Sequence, residues 1–440
     1  RKLKNLQKFL RKTNQKKLML FLYRFLINII IIFSPLIIIF RLIKKKEHLT
    51  RFKEKLCFFS KKRGSGKLVW FHGSSVGEIL SIIPVIENLE KDKSINKILL
   101  TSSTLSSSNI LKKFKFKKTI HQFFPIDGNY FCKKFLNYWK PKAVFFVESE
   151  IWPNFLINIK KKNIPLILLN ARITKRSYRK WKKISKFSKM IFECFSVALA
   201  QNNETKKYLS LLGVKKIKLL GNLKFSETKI KIKKTSNENL KHFFSSKKIW
   251  CASSTHNNEE LLSIYAHKKL KKNFKNLLTI IIPRHINRVG AIYEDIKSLG
   301  LVTHLLSSKN KIKKNTEIYL VDTYGETETF FKLCKIVFLG GSMIKHGGQN
   351  PLEPARLGCR ILHGPHINNF NEIYSLLDKN KISIKVNNLA HLISQLRIIL
   401  KKNVSSKKLI YNLKKLGNAI LYSSLIEIKK FIKQSEIKKT

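Results

Sequence analysis

Acidic side chains are scarce in this chain, 26 Asp and Glu against 89 Lys and Arg, so acids that fall together beside glycines and strand ends stand out. Glu78 closes the run FHGSSVGE, after which residues 79–89 show helical periodicity. It therefore belongs to the first turn of a helix. A carboxylate there is stabilised by free backbone N–H groups and the helix dipole, so helix stability alone accounts for a glutamate at this place. Small residues on both sides leave room for a substrate, and the chemical role open to Glu78 is that of general base. Glu148 and Glu150 flank Ser149 just beyond another apolar run and before Trp152-Pro153-Asn154. They are either solvated loop acids or groups that orient an acceptor and stabilise developing charge. Side chains alternate along extended backbone, so both could lie on one side.

Cations and glycines complete the candidate set. Lys224, in GNLK, follows the last strand of the first half; one lysine among so many means little by itself, but its position makes it a candidate cation for a departing phosphate. Asn170-Ala171-Arg172, followed by Ser177, Arg179 and Lys180, could face an anion or form a solvated helix. Pro283-Arg284-His285 ends a strand, and Arg284 can fork onto a phosphate or carboxylate. Ser253-Ser254-Thr255-His256, ahead of Glu259-Glu260, resembles a capped helix start able to hold a phosphate oxygen. Tyr324-Gly325-Glu326 offers a tight turn and a carboxylate for a ribose or base edge, although acidic turns are commonplace. The densest segment runs from Gly340-Gly341-Ser342 through Gly347-Gly348 to Asn350-Pro351-Leu352-Glu353. Glycines followed by a proline at a first helical position expose N–H groups to an anion. Glu353 could accept hydrogen bonds from ribose hydroxyls. A GxxxxGK[ST] loop, an HExxH pair and a His/Cys cluster are all missing from the sequence, so neither a P-loop ATPase nor a catalytic metal is expected, and no cofactor is called for.

These residues need elements to carry them. At 440 residues the chain can bury two ordinary cores. Short β-rich runs alternate with longer amphipathic ones, which predicts parallel sheets covered by helices. Strands are predicted at 67–71, 97–101, 143–147, 165–169, 197–200 and 217–220, then at 248–251, 277–282, 317–321, 336–339, 360–362 and 382–386. The polar run 226–248 between the two sets reads as a linker. Two doubly wound Rossmann-like domains follow, at 47–225 and 249–440, the second with the terminal helices. In such sheets ligands gather at the carboxyl ends of the strands, where the residues above fall. The six cysteines are scattered singly, without CxxC pairs or a disulfide framework, which fits a reducing cytosol.

Residues 1–46 differ from the rest. The stretch 18–43 is the one long apolar segment, and its core reads FLINIIIIFSPLIIIF. That is marginal for crossing a bilayer, which takes about 20 apolar residues. A cleaved signal peptide fits poorly, because no small-residue cleavage site follows, whereas Arg41, Lys44, Lys45 and Lys46 do. Positive charge on that side keeps the following domain cytoplasmic. The preceding arm is equally basic, so charge does not choose between a spanning helix and a shallow interfacial anchor. The formal net charge of +63 suggests nucleic acid or an anionic membrane. Yet Lys, Ile, Asn and Phe are abundant together, as AT-rich coding produces, and solvated lysine is cheap at a surface. Zinc-finger spacing, an RNP-like motif and a basic heptad region are absent from the sequence, so anionic lipid is the expected partner and nucleic acid is not.

Taken in order, FHGSSVGE, VESEIWPN, NARITKRSYRKWKK, AQNNETKKYLSLLGVKKIKLLGNLK, SSTHNNEE, IIIPRHINR, DTYGE and FLGGSMIKHGGQNPLEPARLG resemble the 3-deoxy-D-manno-octulosonic acid (Kdo) transferases. The resemblance covers nearly the whole chain. It implies a GT-B type α/β fold, two domains facing a cleft, with an N-terminal hydrophobic membrane-anchor helix. It implies inverting transfer of Kdo from CMP-Kdo to a tetraacyldisaccharide lipid A precursor, on the cytoplasmic face of the bacterial inner membrane. Glu78 matches the family's proton acceptor, and Glu148 and Lys224 match positions held to stabilise the transition state. Pro283-Arg284, Tyr324-Gly325-Glu326 and Asn350-Pro351-Leu352-Glu353 match its CMP-binding segments, with Tyr324 standing where the family often has a smaller residue. Two other functions fit parts of the chain. A sugar-nucleotide epimerase shares the two-domain layout but has no need of a hydrophobic arm. A basic adaptor for membrane or nucleic acid leaves the strand-end acids without a purpose.

Overall fold

A computed structural model of the chain describes residues 2–226, 238–401 and 407–437. The chain forms two compact units, Arg1–Lys231 together with Leu416–Thr440, and Ile232–Lys415. In the first, strands β1 (Leu68–His72), β2 (Lys97–Ser102), β3 (Thr119–Phe123), β4 (Ala143–Val147), β5 (Leu166–Ala171), β6 (Val197–Ala200) and β7 (Ile217–Leu219) make one sheet. Its order is β3-β2-β1-β4-β5-β6-β7, with every pairing parallel. Strand order reverses between β1 and β4, which opens a crevice at their carboxyl ends. Both strands are buried at every residue, as unbroken apolar runs covered by helices on two faces must be. Trp70 of β1 anchors an aromatic core with Phe135 and Phe155 at ring-centroid distances of 4.8 and 5.4 Å.

The second unit repeats the plan with β8 (Lys248–Thr255), β9 (Leu277–Pro283), β10 (Thr303–Leu305), β11 (Ile318–Leu320), β12 (Ile336–Leu339), β13 (Arg360–His363) and β14 (Ser383–Lys385). All pairings are again parallel, in the order β10-β11-β9-β8-β12-β13-β14. Here the reversal lies between β8 and β12. The chain leaves β12 through Gly340, where a Cβ would stand 2.5 Å from the Ser254 carbonyl oxygen. Only glycine lets the loop lie this close to the end of β8.

Three expectations about the chain's organisation change. Strands β3 and β10 were not predicted; both are sheet edges, and the polar residues of TIHQF and the brevity of THL hide them from an apolar-run criterion. The expected linker lies partly outside the described residues, and Glu238–Ser245 within it is helical. The terminal helix Lys407–Ile437 does not stay with the second domain: from Leu416 onward it belongs to the first unit. Ile420, Ile428 and Ile432 are buried there, and Glu427 pairs with Lys218 at 2.6 Å. An apolar stripe at steps of four and eight residues finds its partner surface on the unit the chain left at Lys231.

Candidate active site

In the first unit the crevice at the carboxyl ends of β1 and β4 holds three carboxylates. β1 delivers His72, fully buried, whose Nδ1 lies 3.0 Å from Thr101 Oγ1 and whose Nε2 lies 3.0 Å from Glu150 Oε2. The same Glu150 oxygen accepts hydrogen bonds from Ser74 Oγ and Trp152 Nε1, each at 2.7 Å. Burial would raise the Glu150 pKa; these donors, His72 foremost, outweigh it and hold the carboxylate below its usual range.

Glu78 sits as predicted in the first turn of the helix Val76–Glu90, capped by Ser75. Ser75 Oγ accepts from the Glu78 N–H, while Glu78 accepts from Ser75 Oγ at 2.9 Å and from the Ser74 N–H at 2.7 Å. These reciprocal bonds fix the side chain. Desolvation first, then the charges of Glu150 and Glu148, push its pKa up to about 7. Ordinary first-turn glutamates have no such neighbours.

Glu148 begins the loop after β4 with φ of +56°, a left-handed conformation that costs a non-glycine residue on the order of 1 kcal/mol. The bonds Glu148 N–H to Leu169 O and Arg172 N–H to Glu148 O hold it there. Its nearly buried carboxylate meets Lys224 Nζ at 2.5 Å. Asn170 positions this lysine's segment: its Oδ1 accepts from the Leu223 N–H at 2.9 Å. Asn170 is itself 2% exposed, so it is a support rather than the anion contact considered from sequence. The helix Lys175–Lys183 that follows Arg172 buries none of its residues and is the solvated alternative. Thus Glu78, Glu148 and Lys224 come together. His72, Ser74, Glu150 and Trp152 join them, a bonding pattern that spacing along the chain does not reveal.

In the second unit the glycine loop behaves differently from the expectation. The N–H groups of Gly341, Ser342 and Met343 do not await an anion: Glu259, 1% exposed, accepts from all three at 2.6, 3.1 and 2.9 Å and from the His256 N–H at 2.9 Å. Nor do Ser253 to Thr255 cap a helix; they extend β8, and the helix Glu259–Lys271 starts after Asn258. The internal carboxylate shapes the loop, which then presents His346 beside His256, with ring centroids 4.2 Å apart. His285 lies 5.7 Å from the His256 ring, and Arg284, exposed at the end of β9, is close enough to disfavour a positive charge there. Desolvation and the two other histidines keep His256 below its usual pKa.

Glu353 lies in the short helix Leu352–Arg356 and accepts from Thr327 Oγ1 at 3.2 Å. This bond brings it to the Tyr324-Gly325-Glu326 turn, whose Glu326 directly precedes the helix Thr327–Leu333. Tyr324 is 68% exposed, and Gly325 has φ of +93°. Asn350 Oδ1 accepts from the Leu352 N–H. Pro283, Pro351 and Leu352 are buried, so they shape the surface and contribute backbone groups rather than side chains. Among the described residues no group of three His, Cys, Asp or Glu has metal-binding geometry.

Residues 50–227 match the family model described as 3-deoxy-D-manno-octulosonic-acid transferase (kdotransferase). A 3-deoxy-D-manno-octulosonic acid transferase of Rickettsia bellii is 32% identical over 387 residues, 88% of this chain and 92% of the relative. The chain belongs to the Kdo transferase family. It is therefore a glycosyltransferase. A further Kdo transferase, from Haemophilus influenzae, is 30% identical over 331 residues, spanning 73% of this chain and 76% of the relative. The solved UDP-GlcNAc 2-epimerase of Neisseria meningitidis is similar in fold, with a TM-score of 0.56 over 84% of this chain and all of the other, at 14% identity. That likeness concerns the fold alone. With the parallel seven-stranded sheets it establishes the two-domain α/β fold of GT-B type for this Kdo transferase.

Proposed function

We propose that this Kdo transferase takes Kdo from CMP-Kdo and attaches it, with inversion, to a tetraacyldisaccharide lipid A precursor at the cytoplasmic face of the inner membrane. The observation that carries the proposal is the pairing of a carboxylate tuned to about 7, Glu78, with the ion pair of Glu148 and Lys224 at one sheet crevice. In this reading Glu78 accepts the proton of the acceptor hydroxyl as its oxygen bonds to the anomeric carbon. The bond from that carbon to the CMP phosphate oxygen breaks, and its electron pair leaves with CMP. Lys224, oriented by Glu148, offsets the negative charge that develops. Arg284, the turn Tyr324–Gly325–Glu326 and Asn350 to Glu353 would hold CMP, Glu353 through the ribose hydroxyls. Residue types support an organic mechanism without a cofactor: proton transfer and a good phosphate leaving group suffice.

The acid limb of the pH–rate profile tests the base. Below about 7 Glu78 is protonated and cannot take up the hydroxyl proton, so kcat/KM of CMP-Kdo transfer is expected to fall about tenfold per pH unit below that value and to level off above it. Replacing Glu150 by Gln removes a negative neighbour that raises the Glu78 pKa, so the limb moves to lower pH in that variant. A limb unmoved by the substitution would contradict the assignment.

A further inference from the structure

The apolar N-terminal segment is part of the helix Lys2–Ile43, the one helix among the described residues long and apolar enough to cross a membrane. Its side chains divide cleanly. From Met19 to Leu42 one face turns inward at three- and four-residue steps, as a helix packed along a surface does. Leu20 and Tyr23 lie on the core of the first unit. Tyr23 Oη donates to the buried Asp127 at 2.6 Å, and Arg24 donates to Asn154 Oδ1 at 2.9 Å and to Asn129 Oδ1 at 3.1 Å. Farther along, Ile31 covers Gly128, where a Cβ would stand 2.5 Å from its Cδ1. Ser34 and Ile38 are buried, and Arg41 pairs with the buried Glu47 at 2.6 Å. The opposite face, with Phe21, Phe25, Ile29, Phe33, Ile37 and Phe40, is exposed and wholly apolar apart from Asn28.

A spanning helix is surrounded by lipid over about 30 Å. This helix is fastened from Tyr23 to Arg41, about 27 Å at 1.5 Å per residue, along the side of a globular unit that cannot follow it into hydrocarbon. We propose that it does not cross the bilayer but lies in the plane of an anionic membrane surface, its outward strip in the acyl boundary and its inward face bolted to the first unit. Charge complements the strip: the exposed Lys44, Lys45 and Lys46 follow it directly. The bolts also choose which edge of the protein meets the lipid. Asp127 accepts the N–H groups of Asn154 and Phe155 and so caps the helix Pro153–Lys161, which begins right after Trp152, the Glu150 partner. The anchor therefore lies along the carboxyl edge of the sheet that carries Glu78, Glu148 and Glu150. An acylated acceptor can keep its chains in the bilayer while its sugar head reaches that edge. This step rests on the lipid acceptor proposed above; the in-plane anchor does not.

Nitroxide depth measurements on the full chain bound to vesicles of phosphatidylethanolamine and phosphatidylglycerol test it without any substrate. Labels are placed on single cysteines replacing Phe21, Phe25, Ile29, Phe33, Ile37 and Phe40; the six native cysteines are all buried. All six labels are expected in the shallow boundary, about 5–10 Å deep for Ile29, Phe33 and Phe40 in the middle of the strip and less for Phe21 and Ile37 at its flanks, with no trend along the helix axis. A depth that rises to the bilayer centre near Ile29 and Phe33 and falls again would overturn the proposal in favour of a spanning helix. Labels that stay in water would overturn it in favour of a protein partner on the strip. Lys44, Lys45 and Lys46 all changed to Gln are expected to weaken vesicle binding on the order of 100-fold, because each contributes about 1 kcal/mol near an anionic surface. Binding insensitive to that change would remove the anionic-lipid occupant.

Discussion

Glu78→Gln is expected to lower kcat about 10² to 10⁴-fold with little change in KM, the range over which a positioned general base acts. Glutamine keeps the shape and can still accept from the Ser74 N–H through its carbonyl oxygen, so the loop FHGSSVGE stays in place. What it loses is the ability to hold a proton taken from the acceptor. The stability of the variant separates this account from a merely structural one. The folded-state pKa of Glu78, about 7, is above the ordinary glutamate value of 4.5. The folded state therefore binds this proton more tightly than the unfolded chain. The stabilisation is complete below the unfolded value and is lost as pH rises through about 7. Above that pH the charged carboxylate, beside Glu150 and Glu148, is a burden. The glutamine variant is thus expected to melt no lower than the wild type at pH 8 while being nearly inactive, as at sites where function opposes stability. Thermal melting and steady-state kinetics on the same preparation check both halves. A variant that is inactive because it unfolds would show a capping role and no more.

Glu259→Ala should cause the largest loss of stability in the second unit. Four N–H groups, those of His256, Gly341, Ser342 and Met343, converge on this one buried carboxylate. Removing it leaves them without partners in a site too crowded for full hydration, each unpaired group costing about 1–3 kcal/mol in a non-additive way. A net loss of about 4 kcal/mol is expected, read by calorimetry as a fall on the order of 10 °C in the melting of that unit. CMP binding should weaken in parallel, since the loop that carries His346 and leads into Asn350 to Glu353 loses its support. A loss below about 1 kcal/mol would mean that water replaces the carboxylate readily. Glu259 was visible in the sequence as one of two acids at a helix start. Its reach across to a loop more than eighty residues away was not, because a first-turn glutamate has an adequate local explanation.

The same physics divides the rest of the site. Glu78, Glu148 and Arg284 are legible because parallel strands are unbroken apolar runs, and polar residues right after such a run must lie at the crevice edge. The His72–Glu150 bond is not legible: His72 counts as the last residue of a buried strand, and a buried histidine usually serves packing alone. Edge strands such as Thr119–Phe123 escape because one flank needs no apolar cover. Helical periodicity is equally silent about the anchor, since both its faces are apolar. Tyr23 and Arg24 help to distinguish them, through Asp127 and Asn154 more than one hundred residues away.

This Kdo transferase is expected to use CMP-Kdo and a lipid A precursor. The most direct measurement is mass spectrometry of the acceptor after incubation of the purified chain with CMP-Kdo and tetraacyldisaccharide lipid A precursor in anionic vesicles. The predicted result is an acceptor heavier by one or more Kdo residues, with one CMP released for each. Release of CMP without acceptor gain, or gain with another nucleotide sugar and none with CMP-Kdo, would contradict it.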